Sequence, residues 1–295
     1  MTLRKPEWLR RKIPNPGRAG AVSRLISDKS LHTVCQEALC PNCMECFGQG
    51  TATFLLLGPD CTRNCTFCAV GKKSVAPPDA NEPDRVAQAI ARMGLTFSVL
   101  TMVTRDDLTD GGAGHMAEAI RAIRIRCPGV GVEVLISDLG GSEAALNRVL
   151  EATPEVLNHN IETIERLYPE VRPMAEFNRS LKVLSQADSF RPRPVIKSGL
   201  MLGLGETKQE ILETLEALKE AGCDSVTLGQ YLAPSKGHHP IVRYVPPSEF
   251  EELKESALAM GFTGVASGPY VRSSYKAEEL FKLASQNKDD SLHND

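Results

Sequence analysis

The chain has 295 residues, a formal net charge of −3, 42% hydrophobic and 24% charged residues. Those values are ordinary for a soluble globular protein with ample length for a core. No apolar run approaches the roughly 20 residues of a membrane span, and no clustered basic face supports broad nucleic-acid binding.

The opening stretch LRKPEWLRRKIPNPGR is basic, but it is rich in proline, poor in serine and contains Glu7. It lacks the apolar core of a secretory signal. The expected location is the cytoplasm, with plastid or mitochondrial residence left open. Arg4, Lys5, Arg10, Arg11, Lys12 and Arg18 read either as a solvated arm or as a surface for an acidic partner.

Residues 1–50 read as irregular. From residue 51 strands and helices alternate. TATFLLLG (51–58) is a buried apolar run bounded by Thr and Gly, hence a strand. Residues 83–94 have an early proline, apolar spacing of three and four and a glycine stop, hence a helix. Strand 97–104, helix 115–127, strand 131–137 and helix 142–152 follow. Strand 155–160 precedes a short helix after IET and a helix over 178–188. Strand 195–204, helix 207–222, strand 225–232 and helix 247–261 complete the run, with GVASGP as a short last strand. The tail from Ser285 is polar and reads as disordered.

Alternation of this kind predicts parallel strands with right-handed crossovers. About six βα units fit an α/β fold of the incomplete (β/α)6 TIM-type barrel kind. Such barrels place chemistry at the C-terminal ends of their strands. The segmentation expected is an N-terminal extension (1–50), the partial barrel (51–268) and a C-terminal extension (269–295).

Nine cysteines are many for a reducing compartment, and seven of them lie between residues 35 and 68. Clustered thiols there point to metal or redox chemistry. Cys127 and Cys223 stand apart and read as small buried hydrophobes. Cys61, Cys65 and Cys68 form C-x3-C-x2-C, starting four residues after the first strand's apolar run. Structural zinc takes four closed ligands in CxxC pairs, which this spacing lacks. Three thiolates on a four-iron cluster leave one iron open to a small molecule.

CTRNCTFC in this place resembles the radical S-adenosylmethionine superfamily. The resemblance implies a 4Fe–4S cluster on Cys61, Cys65 and Cys68, whose open iron chelates S-adenosylmethionine and reduces it to a 5′-deoxyadenosyl radical. Phe67 matches the aromatic position near adenine, with plain packing as the other reading. NHNIET (158–163) resembles a biotin synthase stretch and implies cofactor contacts from Asn160 and Glu162. GLMLGLGE (199–206) resembles the glycine-rich segment that nears the cofactor, and Gly203 is its expected contact. It does not match a phosphate loop, since no Lys-Ser/Thr pair follows.

Cys35, Cys40 and Cys46 add C-x4-C-x5-C. With TRDDLTDGGAGH (104–115), GQYLAPS (229–235) and VRSSY (271–275), the chain is similar to the lipoyl synthase family from about Pro6 to Lys276. That resemblance implies a second, auxiliary 4Fe–4S cluster on Cys35, Cys40, Cys46 and Ser274, with Ser273 as the alternative serine. It implies insertion of two sulfurs at C6 and C8 of an octanoyl chain on a lipoyl carrier domain, with two S-adenosylmethionine molecules and loss of the auxiliary cluster. The implied partners are the octanoylated E2 subunits of 2-oxoacid dehydrogenases, the glycine cleavage H protein, and a ferredoxin or flavodoxin reductant.

Cys43 departs from the pattern and reads as bystander, alternative ligand or oxidation-sensitive thiol. Thr104, Arg105, Asp106, Asp107, Ser137 and Asp138 follow strands and are site candidates by position. His115, His159, His238 and His239 read as ordinary polar contacts. A two-cluster radical thiolase acting on tRNA, a ribosomal protein or a small molecule, a ferredoxin-like carrier and a zinc scaffold are the competing functions. Against the first stands the absence of a basic stripe, against the second a triad that leaves one iron without a cysteine, and against the third the C-x3-C-x2-C spacing of CTRNCTFC, which is not a closed set of four ligands.

Overall fold

The structure is a computed structural model that describes residues 4–10 and 16–292, the backbone alone beyond residue 286. The described chain forms two compact units, one of residues 16–64 and 68–157, the other of residues 4–10, 65–67 and 158–292. Within each unit, strands that follow one another in the chain are hydrogen-bonded neighbours. Arg11 and Lys12, expected in the basic arm, lie outside the described residues, while Arg4, Lys5, Arg10 and Arg18 are exposed.

The first unit opens with helix α1 (Ala19–Asp28), strand β1 (His32–Thr33), and the short helices α2 (Val34–Glu37) and α3 (Cys43–Gly48). This corrects the irregular reading of residues 1–50. Ala19, Val22, Leu25 and Ile26 bury one face of α1 at helical spacing. The prolines and glycine just before it mask that signal. Thr33 caps α2, accepting a hydrogen bond from the Gln36 N–H at 3.3 Å.

β2 (Thr53–Leu56) pairs antiparallel with β1, His32 opposite Leu55. It pairs in parallel with β3 (Phe97–Met102), which pairs in parallel with β4 (Gly131–Leu135). Between these strands run α4 (Glu82–Met93) and α5 (Ala113–Arg126), and α6 (Glu143–Leu150) follows β4. Phe54, Leu56, Leu100, Val132 and Val134 on the strands and Ile90, Met116 and Ile120 on the helices are fully buried. Near-continuous apolar strands are what a parallel sheet covered on both faces requires. β5 (Val156–Asn158) carries the chain onward.

The second unit holds α7 (Tyr168–Val171), α8 (Phe177–Ser189), β6 (Val195–Leu202), α9 (Lys208–Glu220), β7 (Ser225–Gln230), α10 (Pro247–Ala259), β8 (Gly264–Gly268) and α11 (Ala277–Leu292). β6, β7 and β8 are parallel. GVASGP is thus a genuine strand, and six βα units precede it, as the alternation predicts. The helix α11 corrects the expectation of disorder from Ser285 as far as Leu292; residues 293–295 of that tail lie outside the described residues. Ala277, Leu280 and Ala284 are buried at spacings of three and four, and the helix they anchor continues through the polar residues beyond them.

Candidate active site

After β2 the chain makes a left-handed turn at Leu57, φ 71°. The Glu82 carboxylate fixes it, accepting the Leu57 N–H at 2.9 Å and meeting His115 Nε2 at 2.6 Å. The first cysteine of the loop, Cys61, stands four residues after Leu57. The loop's base is closed by the Cys61 N–H donating to the Gly71 carbonyl at 2.8 Å, and Thr62 donates to the Thr104 carbonyl beyond β3 through both N–H (3.0 Å) and hydroxyl (2.9 Å).

Arg63 is the centre of this arrangement. Its guanidinium donates to Asp106 through Nε and Nη2, both at 2.8 Å, and to Asp138 through Nη1 and Nη2 at 2.8 and 2.7 Å. Its backbone N–H points at the Cys61 sulfur, 3.4 Å away. The Arg63 side chain is 5% exposed and that of Asp138 is fully buried. Burial works against the Arg63 charge, and the two carboxylates outweigh it, so the guanidinium pKa is raised. Asp106 and Asp138, candidates by position, therefore act as anchors of the cysteine loop. Sequence reasoning missed Arg63, although an arginine between two cysteines and two strand-end aspartates were all visible in it. Arg105 is bound by Asp107 at 2.8 Å.

The tripeptide Cys65–Phe67 belongs to the second unit. Thr66 donates to the Val171 carbonyl at 3.0 Å and the Glu170 carbonyl at 2.9 Å, and accepts the His239 N–H at 2.9 Å. Phe67 packs against buried Ile164, Leu167, Val171, Leu204 and Tyr231. Part of its ring is thus committed to the core, and the packing reading of Phe67 has direct support.

Asn160 and Glu162 follow β5 in the second unit. Asn160 Nδ2 donates to Glu162 Oε1 at 3.1 Å, and Arg172 Nη1 donates to the carbonyls of Asn160 and Ile161, both at 3.1 Å. Glu162 has φ 66°, and its N–H donates to the Gly199 carbonyl at 2.9 Å. Burial pushes its carboxyl up, while the Arg172 charge and the Asn160 bond pull the other way. The amide and the acid form one polar pair at the strand end. Gly199, which the sequence reading did not single out, makes room there. A Cβ on it would meet Thr227 Oγ1 at 2.7 Å, Asn160 Oδ1 at 2.8 Å and Ser273 Oγ at 2.9 Å.

Gly203 also makes room within the protein itself. The place its Cβ would take is filled by the Gln230 amide and the Arg243 carbonyl, so its glycine accommodates the chain's own loop. The N–H groups of Gly203, Leu204 and Gly205 all donate to the Glu206 carboxylate, at 2.6, 2.9 and 3.1 Å. In the RSSY turn, Ser273 Oγ donates to Asn160 Oδ1 at 2.8 Å, and Arg272 Nη1 donates to the Val271 carbonyl at 2.6 Å.

The second cysteine set stands in the first unit, beginning just after β1. Burial pushes the Cys35 thiol up to about 12, with charge repulsion from Cys40, Cys46 and Cys43 adding to it. Burial and Cys40 also push Cys46 up to about 11. All four thiols therefore lie within electrostatic reach of one another, and Cys43 stays with the set. Bare thiolates are costly here, and a metal centre that accepts them must release their protons. Soft sulfur donors suit an iron–sulfur cluster. Among the described residues no three Cys, His, Asp or Glu side chains converge tightly enough to chelate a single ion. A cubane spaces its thiolates at the corners of a four-iron core and asks for less convergence. Cys127 and Cys223 are buried, as expected of small hydrophobes. His115 meets Glu82, His238 meets Ser235 at 2.9 Å, and His239 meets the Leu204 carbonyl at 3.2 Å.

Six βα units with a CxxxCxxC loop after the first parallel strand define a radical S-adenosylmethionine enzyme, and the Radical SAM superfamily model matches residues 55–218. That class carries a 4Fe–4S cluster and S-adenosylmethionine. Methylornithine synthase (PylB) shares the fold, with a TM-score of 0.56 and 16% identity over 94% of this chain and 81% of its own. So does the FeFe-hydrogenase maturase HydG of Carboxydothermus hydrogenoformans, with a TM-score of 0.57 and 17% identity over 90% and 68%. A lipoyl synthase of Caldicellulosiruptor saccharolyticus is 53% identical over 283 residues, 96% of this chain and 99% of its own. One from Trichlorobacter lovleyi is 55% identical over 278 residues, 93% and 97% of the two chains. The chain belongs to the lipoyl synthase family. No helix among the described residues is long and apolar enough to cross a membrane.

Proposed function

We propose that the chain inserts two sulfur atoms, at C6 and C8, into an octanoyl group amide-linked to a lysine of a lipoyl carrier domain. Two S-adenosylmethionine molecules are used, and an auxiliary 4Fe–4S cluster supplies the sulfur. Cys61, Cys65 and Cys68 hold the catalytic cluster; Cys35, Cys40 and Cys46, with Ser274, hold the auxiliary one. The observation that carries this reading is the second set of thiols, gathered within mutual electrostatic reach apart from the CxxxCxxC motif.

When bound, the catalytic cluster and S-adenosylmethionine supply a carbon radical able to take hydrogen from unactivated carbon. The protein's own part is placement. Arg63 fixes the Cys61–Asn64 stretch to Asp106 and Asp138, and Thr66 fixes the Cys65–Phe67 stretch to the backbone after Glu170. Asn160 and Glu162 offer an amide and a carboxyl to the cofactor's hydroxyls. Ser274 supplies a harder donor than thiolate, so it holds soft cluster iron less firmly. The carriers are the octanoylated E2 subunits and the glycine cleavage H protein, the electron donor a ferredoxin or flavodoxin, and the location the cytoplasm.

The test is anaerobic incubation of the reconstituted protein with an octanoyl-lysine peptide, dithionite and S-adenosylmethionine, followed by mass spectrometry. Peptide carrying first one and then two added sulfurs is the expected product. Cofactor cleavage with no sulfur added to the peptide would overturn the assignment.

A further inference from the structure

The RSSY turn carries two adjacent serines, and the geometry points to a division of labour between them. Ser273 is a positioning residue for Asn160, not a ligand. The inference rests on the reading of Asn160 as a cofactor contact and of Ser274 as the auxiliary-cluster serine.

A serine hydroxyl has a single proton to donate. Ser273 gives it to Asn160 Oδ1 at 2.8 Å. Ionised on an iron, the same oxygen would have no proton for that bond. The bond also fixes which way the Asn160 amide faces. With Oδ1 engaged by Ser273, Nδ2 is turned to Glu162 Oε1 at 3.1 Å, and Arg172 clamps the backbone carbonyls of Asn160 and Ile161.

The turn is seated for this purpose on two strands of its own unit. Gly199 of β6 leaves space in which Ser273 Oγ, Asn160 Oδ1 and Thr227 Oγ1 meet, all within 2.9 Å of where a Cβ would stand. Gly229 of β7 leaves the space taken by the Val271 carbonyl. The turn is closed by the Val271 N–H on the Gly268 carbonyl at 3.0 Å and the Tyr275 N–H on the Arg272 carbonyl at 2.9 Å. A side chain on either glycine would lift the turn, and with it the hydroxyl that sets the amide. Ser273 thus ties the C-terminal segment to the cofactor side of the reaction.

The experiment uses anaerobically reconstituted protein and reads two quantities besides turnover. One is iron content. The other is the S-adenosylmethionine concentration that half-perturbs the electron paramagnetic resonance signal of the reduced cluster. Ser273→Ala is expected to raise that concentration about five- to tenfold, the effect of losing one hydrogen bond, with iron content unchanged. Ser273→Thr, which keeps the hydroxyl, is expected to restore it to within about twofold by the same reckoning. Gly199→Ala is expected to weaken binding as Ser273→Ala does. Loss of the auxiliary cluster's iron in Ser273→Ala would make Ser273 the ligand and overturn the proposal. Unchanged affinity in Ser273→Ala alongside weakened affinity in Asn160→Ala would overturn the positioning role and leave Asn160's assignment intact. Unchanged affinity in Asn160→Ala would overturn that assignment itself and the proposal with it.

Discussion

Arg63 shows how one side chain can hold a cysteine loop in place through two aspartates. Both its carboxylate partners come from loops that follow strands β3 and β4, and Asp138 has no exposed surface. Taking the guanidinium away strips two charge-assisted hydrogen bonds from that buried carboxylate. Arg63→Met is therefore expected to cost about 3 kcal/mol, read from denaturant unfolding of the cluster-free chain under reducing conditions. Arg63→Lys should recover only part of it, because one ammonium cannot span two carboxylates in fork geometry. A loss no larger than that of an exposed ion pair would show that the network contributes little. The sequence displayed the three residues but not their meeting, since 43 positions separate Arg63 from Asp106 and 75 separate it from Asp138.

The elements themselves were mostly legible, and helix α9 shows why. Thr207 and Glu210 form a reciprocal cap at its start, each side chain taking the other's backbone N–H, at 3.3 Å into Thr207 Oγ1 and 2.8 Å into Glu210 Oε2. That pattern is written in four consecutive residues. Thr207→Ala is expected to destabilise the chain by about 1 kcal/mol in denaturant unfolding. Glu210 also carries a pH signature. Hydrogen bonds from Arg166 and then Thr207 hold its carboxyl at about 2, below its ordinary 4.5. A depressed carboxyl stabilises the fold fully above 4.5, and its contribution fades as pH falls from there through 2. Glu210→Gln should flatten that part of the stability–pH curve of the cluster-free chain; an unaltered slope would refute the assignment. Less legible were α1, whose apolar face follows directly on prolines and glycines, and α11, whose polar end is helical because its buried face lies earlier. Tertiary packing decides both, and a local pattern does not contain it.

For the whole molecule, the cysteine spacing announced the class of chemistry before any fold was known, because three soft donors on a loop are rare without a metal. The roles of Gly199, Gly203 and Ser273 were not readable, since each depends on which atoms come to occupy a space. The proposed pair of four-iron clusters requires about eight irons per chain. Anaerobic iron analysis should find them, and replacing Cys35, Cys40 and Cys46 together by alanine should remove about half while sparing the signal that responds to S-adenosylmethionine. The turn after β6 has its backbone amides already occupied. Adenosine in a cell is mostly attached to polyphosphate, and a glycine-rich bend usually greets such a tail with free amides. Here Glu206 already sits among those amides as a built-in anion. A polyphosphate brought to this bend would meet a carboxylate and no open amides.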